Sequence, residues 1–423
     1  MKITLIAYGT RGDVQPMLSL AWVLRERGHE VRLLAPENFA DWILRTRVPF
    51  APLPGDAQAL LSAEPAQRML ARGDIGSFFQ WLAVEEQPYR VAMRQVVIDA
   101  CEDADAIVAH TLMQDRAAAV AAARKIPLLS FHLFPLPPSS AFASPFITTR
   151  NLGPLNRLTH KLLLDMLWKS LREDVDAMRA KLGVPAARLD YTREAQRTGA
   201  PCMLAYSAEI FAAPADYGPN NFVTGSFVMP PALRRALGEC ELPAPLEAWL
   251  ARGTPPVFLG FGSMPVLDVE AMLCTTRAAL GQIGMRGVIG AGWSAVPLGG
   301  DDVLFVVNNV DHAALFAKCS AAVHHGGSGT TYASLRAGLP TLICSVFADQ
   351  PFWGARCRAL GVGATLPFKR LDPKSLASGL KKLFFEPTTA KARALGARLA
   401  TERALEKAVD VVERVLPRAP PPA

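Results

Sequence analysis

Between Ala321 and Gln350 the chain gathers residue types that can hold a charged ligand. His324-His325-Gly326-Gly327-Ser328-Gly329-Thr330-Thr331 is followed, past an apolar run, by Asp349-Gln350-Pro351. Glycines let the backbone approach a ligand closely, and the unpaired N–H groups of a following helical turn suit an anion. The partial charge of such a helix end favours an anion by roughly 0.3–1 kcal/mol when exposed, and by more when buried. A diphosphate fits this turn. The adjacent histidines sit at a strand end and point to opposite faces, so they do not share one metal. One ring can donate to a phosphate while the other packs. Asp349 beside Gln350 can accept from and donate to neighbouring hydroxyls, as a bound sugar requires, or Asp349 can cap a helix. In the first loop, Asp13 can take a proton from a hydroxyl or cap the helix at Pro16.

These groups need strands to present them. Residues 2–8 read as a buried strand, 9–16 as a loop, and Met17, Leu20, Ala21 and Leu24 as one face of a helix that Gly28 stops. A strand at 30–35 completes a βαβ unit, with its loop where open α/β sheets hold ligands. The same reading places a strand up to Val323, a glycine turn, a helix capped by Thr330 or Thr331, and a strand at 339–346. Further strands are expected at 104–109, 127–133, 202–205, 222–227, 257–261, 286–293 and 303–307. Residues 49–81 read as irregular, 131–145 as a loop over a ligand mouth, and 155–182 as helix. The composition of 229–256 shifts to Pro, Ala and Glu, which marks a linker. The expectation is α/β: two Rossmann-like parallel-sheet domains facing a cleft, at 1–228 and 257–400, with 401–423 as a last helix and tail.

Half of the 423 residues are hydrophobic and a fifth charged, so the chain is globular. A net charge of +7 suits a phosphorylated small ligand or weak contact with an anionic membrane surface. No Lys/Arg run with interleaved aromatics appears, so no nucleic acid is expected. Seven cysteines without a Cys-x-x-Cys pair argue for a reducing compartment, and the apolar run at 3–7 is too short for a signal peptide or a span. A cytoplasmic location follows as the expectation. Asp103-Ala104-Asp105 and Asp174-Val175-Asp176 have the two-carboxylate spacing of some metal sites, but read as solvated helix surface; no metal is expected. The first loop lacks Gly-x-Gly-x-x-Gly, and Gly260-Phe261-Gly262 has no third glycine, which argues against a dinucleotide-dependent oxidoreductase.

His324 to Thr331, Arg336-Ala337-Gly338-Leu339-Pro340 and Asp349-Gln350-Pro351 together resemble the donor signature of family 1, GT-B glycosyltransferases. The opening Gly9-Thr10-Arg11-Gly12-Asp13-Val14-Gln15-Pro16 is similar to the start of the sterol-glucosyltransferase and glycopeptide-antibiotic-glycosyltransferase branches. The resemblance implies metal-independent, inverting transfer of a hexose, from UDP-glucose, to a hydroxyl of an apolar alcohol such as a sterol, lipid or natural product. No cofactor beyond that nucleotide-sugar co-substrate is implied. It assigns the diphosphate to His324, Gly326, Gly327, Ser328, Gly329 and Thr330, and the sugar hydroxyls to Asp349 and Gln350. Ser263, Trp293 and Val310 would meet the rest of the donor. Asp13 would be the general base, with Arg11 and Gly12 beside it, and the last helix would cross back to the first domain. Plant-type members carry a catalytic histidine in the first loop; here that loop has none, and Asp13 stands as its base. The lipid-targeting domain of some larger sterol enzymes is expected to be missing, so the resemblance does not fix a lipid acceptor. A GT-B-fold epimerase and a non-catalytic nucleotide-sugar or lipid-binding module are the alternatives.

Overall fold

A computed structural model describes residues 1–260, 268–292, 296–308 and 310–416. Its first sheet contains β1 (Lys2–Ile6), β2 (Glu30–Pro36), β3 (Phe50–Leu53), β4 (Ala106–His110), β5 (Leu128–His132), β6 (Cys202–Leu204) and β7 (Asn221–Val223). All pair in parallel, in the order β3-β2-β1-β4-β5-β6-β7. Strands buried on both faces need apolar side chains throughout, and β4 and β5 are buried at every position.

The second sheet contains β8 (Val257–Gly260), β9 (Gly287–Gly290), β10 (Gly299–Gly300), β11 (Leu304–Val307), β12 (Ala321–His324), β13 (Thr341–Ile343) and β14 (Gly363–Thr365). Its order is β10-β11-β9-β8-β12-β13-β14, parallel except for the β10–β11 pair. In each sheet the strand order reverses once beside the first strand, between β1 and β4 and between β8 and β12. Loops leaving those strands diverge and open a crevice, where doubly wound sheets bind ligands. The first loop, His110 and the glycine turn all lie at these two switch points.

Three differences from the sequence reading have local causes. The first helix spans Arg11–Glu26 and starts five residues before Pro16, because Thr10 and Asp13 form a reciprocal capping box that satisfies its orphan donors. Residues 57–85 are three helices, Ala57–Ser62, Glu64–Arg72 and Ile75–Glu85, with Asp56 and Asp74 as N-caps and Pro65 in a first turn. Gly73, in the left-handed region, punctuates them; the punctuation had read as irregular chain. The expected linker carries helices Pro231–Leu237 and Ala244–Ala251.

The last helix, Ala404–Val415, lies against the Arg11–Glu26 helix, burying Val409 and Val412 in the core that contains Leu18 and Leu20. Ion pairs from Arg27 to Asp410 and Glu413 (3.3 and 3.5 Å) border that contact. Among the described residues, no helix is long and apolar enough to cross a membrane. All seven cysteines are unpaired.

Candidate functional site

At the β12 end, the helix Ser328–Arg336 begins directly after Gly327, whose position as N-cap supplies no side-chain acceptor. Thr330 and Thr331, expected as caps, lie inside the helix, and the Thr331 hydroxyl donates back to the Gly327 carbonyl at 2.9 Å. The N–H groups of Ser328, Gly329 and Thr330 therefore have no intrahelical acceptor. Gly326 has φ +95°, and a Cβ there would lie 2.5 Å from the Ile343 side chain. Only glycine fits that turn.

His324 does not face this opening. It is fully buried, its Nδ1 accepts the Gly326 N–H (3.0 Å), and its Nε2 lies 3.3 Å from the Ser334 hydroxyl. Burial, with His325 and His312 nearby, holds its pKa well below the usual histidine range, so the ring is neutral. With both nitrogens engaged within the protein, His324 braces the turn. His325 is the ring beside the turn: its Nε2 lies 2.5 Å from where a Gly327 Cβ would sit, and its Nδ1 is buried without a hydrogen-bond partner among the described residues. His324→Ala should cost about 2–4 kcal/mol, from a cavity plus an orphaned Gly326 N–H. A lowered urea midpoint checks this.

After β13 the chain enters Ala348 in the left-handed region, φ +57°, strained for a residue with a Cβ. Asp349 follows at the N-cap position of the helix Gln350–Leu360, but its side chain does not cap. Instead Oδ2 accepts the Trp353 indole N–H at 2.7 Å. Burial pushes the Asp349 pKa up to about 6; the Trp353 bond opposes this and the charge of Asp13 adds to it. Gln350 Oε1 accepts the Val346 and Phe347 N–H groups (2.8 and 3.2 Å), which braces the loop. From the other half of the chain, Phe78 meets Phe347 with ring centroids 5.7 Å apart, so the three helices of 57–85 cover this loop.

Asp13 faces the same space from the first sheet. Its Oδ2 accepts the Thr10 N–H (2.7 Å) and the Thr10 hydroxyl (3.1 Å). Its Oδ1 lies 3.3 Å from His110 Nε2, and about a quarter (26%) of its side chain stays exposed. Capping and proton acceptance are thus not exclusive: one oxygen caps while the other remains available. Gly9, at φ +128°, makes room, since a Cβ there would lie 2.3 Å from Oδ2. His110 is nearly fully buried at the last position of β4, and burial lowers its pKa against the opposing pull of Asp13. The sequence reading ended that strand one residue early and missed His110. The switch-point geometry that joins β1 to β4 is what brings it to Asp13.

The remaining expected residues divide. The Gly12 N–H donates to the Thr10 hydroxyl (3.2 Å). Arg11 reaches away, pairing with Glu239 at 2.5 Å and stacking on Trp42, so it ties the first helix to the interdomain segment. Val310 is partly buried against the cluster that includes Phe258 and Phe316, just before Asp311 caps the helix His312–Phe316. Ser263 and Trp293 lie outside the described residues. The Ser328 hydroxyl donates across the crevice to the Leu133 carbonyl at 3.3 Å, linking the turn to the loop after β5. Neither acidic triplet is free: Asp103 pairs with Lys2 and Arg32, and Asp105 accepts the Lys2 N–H. Asp174 pairs with Arg94 and Arg116, and Asp176 with Arg172. No group of three metal-ligating side chains occurs among the described residues.

Comparison with known proteins adds a family to this geometry. Residues 3–126 match the glycosyltransferase family 28 N-terminal domain, and 294–416 match the C-terminal domain of erythromycin biosynthesis protein CIII-like proteins. A sterol 3-beta-glucosyltransferase of Arabidopsis thaliana is 31% identical over 99% of the chain, which spans 66% of that protein's length. An uncharacterised glycosyltransferase of Mycobacterium leprae is 33% identical, covering 98% of the chain and 96% of its own. In structure, the chain is similar to the glycosyltransferase of kitacinnamycin (TM-score 0.68, 19% identity, 98% and 99% coverage). It is also similar to the glycosyltransferase VinC in complex with dTDP (TM-score 0.65, 19% identity, 98% and 99% coverage).

Proposed function

Because the chain belongs to the GT-B glycosyltransferases, which draw on a nucleotide-diphosphate sugar, we propose that it transfers a hexose, with inversion, from UDP-glucose to a hydroxyl of an apolar alcohol. One observation carries this reading. An uncapped helix N-terminus at Ser328, a sugar-loop carboxylate at Asp349 and a partly exposed carboxylate at Asp13 converge on one crevice, near enough for Asp13 to perturb Asp349.

In the proposed reaction Asp13 Oδ1 takes the proton of the acceptor hydroxyl as its oxygen bonds to the anomeric carbon. The bond from that carbon to the diphosphate oxygen breaks, and the electron pair leaves with the diphosphate. The Ser328, Gly329 and Thr330 N–H groups receive the charge that develops there, in a site whose dipoles are already oriented. His110, neutral and buried with its Nε2 3.3 Å from Asp13 Oδ1 but not hydrogen-bonded to it, packs against the carboxylate and is a positioning residue. His110→Ala should lower kcat about tenfold, at the weak end of general-base effects, with the KM for donor little changed. Steady-state kinetics with the donor varied reads both.

The test of the reading is release of UDP from UDP-glucose with and without an apolar alcohol such as a sterol. Release only with the alcohol, together with a glycoside detected by mass spectrometry, supports transfer; release without it points to hydrolysis, and conversion to another UDP-hexose without UDP release points to epimerisation. Donor binding should also depend on pH. Below about 6 Asp349 is protonated, and above it the carboxylate can accept two sugar hydroxyls. UDP-glucose affinity should therefore rise between pH 5 and 7.5, and Asp349→Asn should flatten that rise. Calorimetric titration at the two pH values checks it.

A further inference from the structure

The helix Asn156–Lys181 carries an apolar stripe left open by every described residue. Leu155, Leu158, Leu162 and Met166 are 57%, 59%, 58% and 38% exposed. At 3.6 residues per turn, their spacing of three, four and four places them within an arc of about 80°, along roughly 16 Å of helix. Ile147 and Leu152, in the segment before the helix, are exposed as well. The adjoining face of the helix is buried through Asn156, Thr159, His160, Leu163 and Leu164, so the stripe is not a misplaced core.

Charge defines what the stripe fits. Arg150, Arg157, Lys161 and Lys169 lie on or beside this segment with Asp165, Glu173 and Asp216, and Arg157 pairs with Asp216 (3.3 Å), so the cations are in slight excess. Asp165 is held by Lys161 (2.5 Å) and Arg193 (2.6 Å). We propose that this face docks on a bilayer surface that carries anionic lipid, with the leucines entering the acyl boundary and the cations lying at headgroup level. A second copy of this chain fits less well, because two-fold pairing of the stripe would bring its bordering cations toward their own copies. Contact is by insertion of a face, consistent with the lack of a membrane-crossing helix among the described residues.

The helix that carries the stripe is tied to the crevice by its buried side. The first turns of its helix hold the loop after β5, through Asn156 Nδ2 to the Ser140 carbonyl (2.8 Å) and the Ser144 N–H to the Thr159 hydroxyl (2.8 Å). That loop begins at Leu133, whose carbonyl accepts from Ser328. Docking does not depend on which reaction the crevice performs.

Co-sedimentation with phosphatidylcholine vesicles, with and without about 30% phosphatidylglycerol, tests the proposal. The wild-type chain should bind the anionic vesicles, bind the neutral ones at least tenfold less, and lose binding as salt is raised. Leu158→Glu/Leu162→Glu should lower binding at least tenfold with an unchanged thermal midpoint. Arg150→Glu/Lys169→Glu, at exposed positions without packing roles, should lower it as well. UDP release with a water-soluble acceptor, measured without vesicles, should stay unchanged in both. Failure of the wild type to bind anionic vesicles, or undiminished binding by both double variants, overturns the proposal. A dimer in light scattering that the leucine substitutions convert to monomer overturns it also, and gives the face to a second copy.

Discussion

Replacing Asp13 with Asn should lower kcat by about 10²- to 10⁴-fold while leaving the affinity for UDP within a few-fold of wild type. The size is that of losing a positioned general base. The selectivity follows from where the carboxylate sits. Asp13 belongs to the first sheet and its carboxylate meets Thr10 and His110, whereas the glycine turn before Ser328 is built on the second sheet. Asn keeps an oxygen that can accept the Thr10 N–H, so the capping box persists and stability should change by no more than about 1 kcal/mol. Turnover with a fixed acceptor, calorimetry with UDP and a denaturation curve separate the three quantities. Near-normal turnover in a folded Asp13→Asn protein would remove Asp13 as the base. A parallel loss of UDP affinity would instead mean that the first loop helps build the donor site.

The parts of this site that follow one another in the chain could be read from it. Strand, glycine turn and helix from Ala321 to Arg336 form a single local unit, in which Gly326 takes the left-handed conformation of the turn. Contacts made by folding could not. No pattern links Asp13 to His110; they meet because β1 and β4 are neighbours across the reversal of strand order. Alternation along β12 would point the two histidine rings to opposite faces, yet their centroids lie 6.3 Å apart, and it does not say which ring is held inside. That is decided by Ser334 and the Gly326 N–H, which hold His324 inside. The helix start at Arg11 was obscured for a different reason: Pro16 is a common first-turn residue, and here it lies inside a helix that the Thr10–Asp13 box had already begun. The helices of 57–85 are at most eleven residues long, and the caps Asp56 and Asp74 with Pro65 and Gly73 interrupt the chain often enough to mask their periodicity.

The turn itself is best tested by adding charge where there is room for it. Gly329 is the second residue of the Ser328–Arg336 helix, and a Cβ there would meet nothing within 4 Å. For the free protein Gly329→Asp should be neutral or stabilising: it removes a glycine from a helix, worth up to about 1 kcal/mol, and places a carboxylate in the first turn, worth roughly 0.3–1 kcal/mol. For a diphosphate bound to the same N–H groups the effect reverses. Two like charges about 4 Å apart repel by about 4 kcal/mol at an effective dielectric near 20, so UDP affinity should fall roughly 10²- to 10³-fold. Gly329→Asn separates size from charge and should keep affinity within about tenfold, since it adds no net charge. A thermal midpoint that holds or rises while calorimetry shows UDP binding lost would locate the leaving group at this helix end, because damage to the fold moves both quantities down together. Wild-type affinity in Gly329→Asp would place the nucleotide elsewhere in the crevice, and the Ser328, Gly329 and Thr330 amides would then have no part in holding the diphosphate.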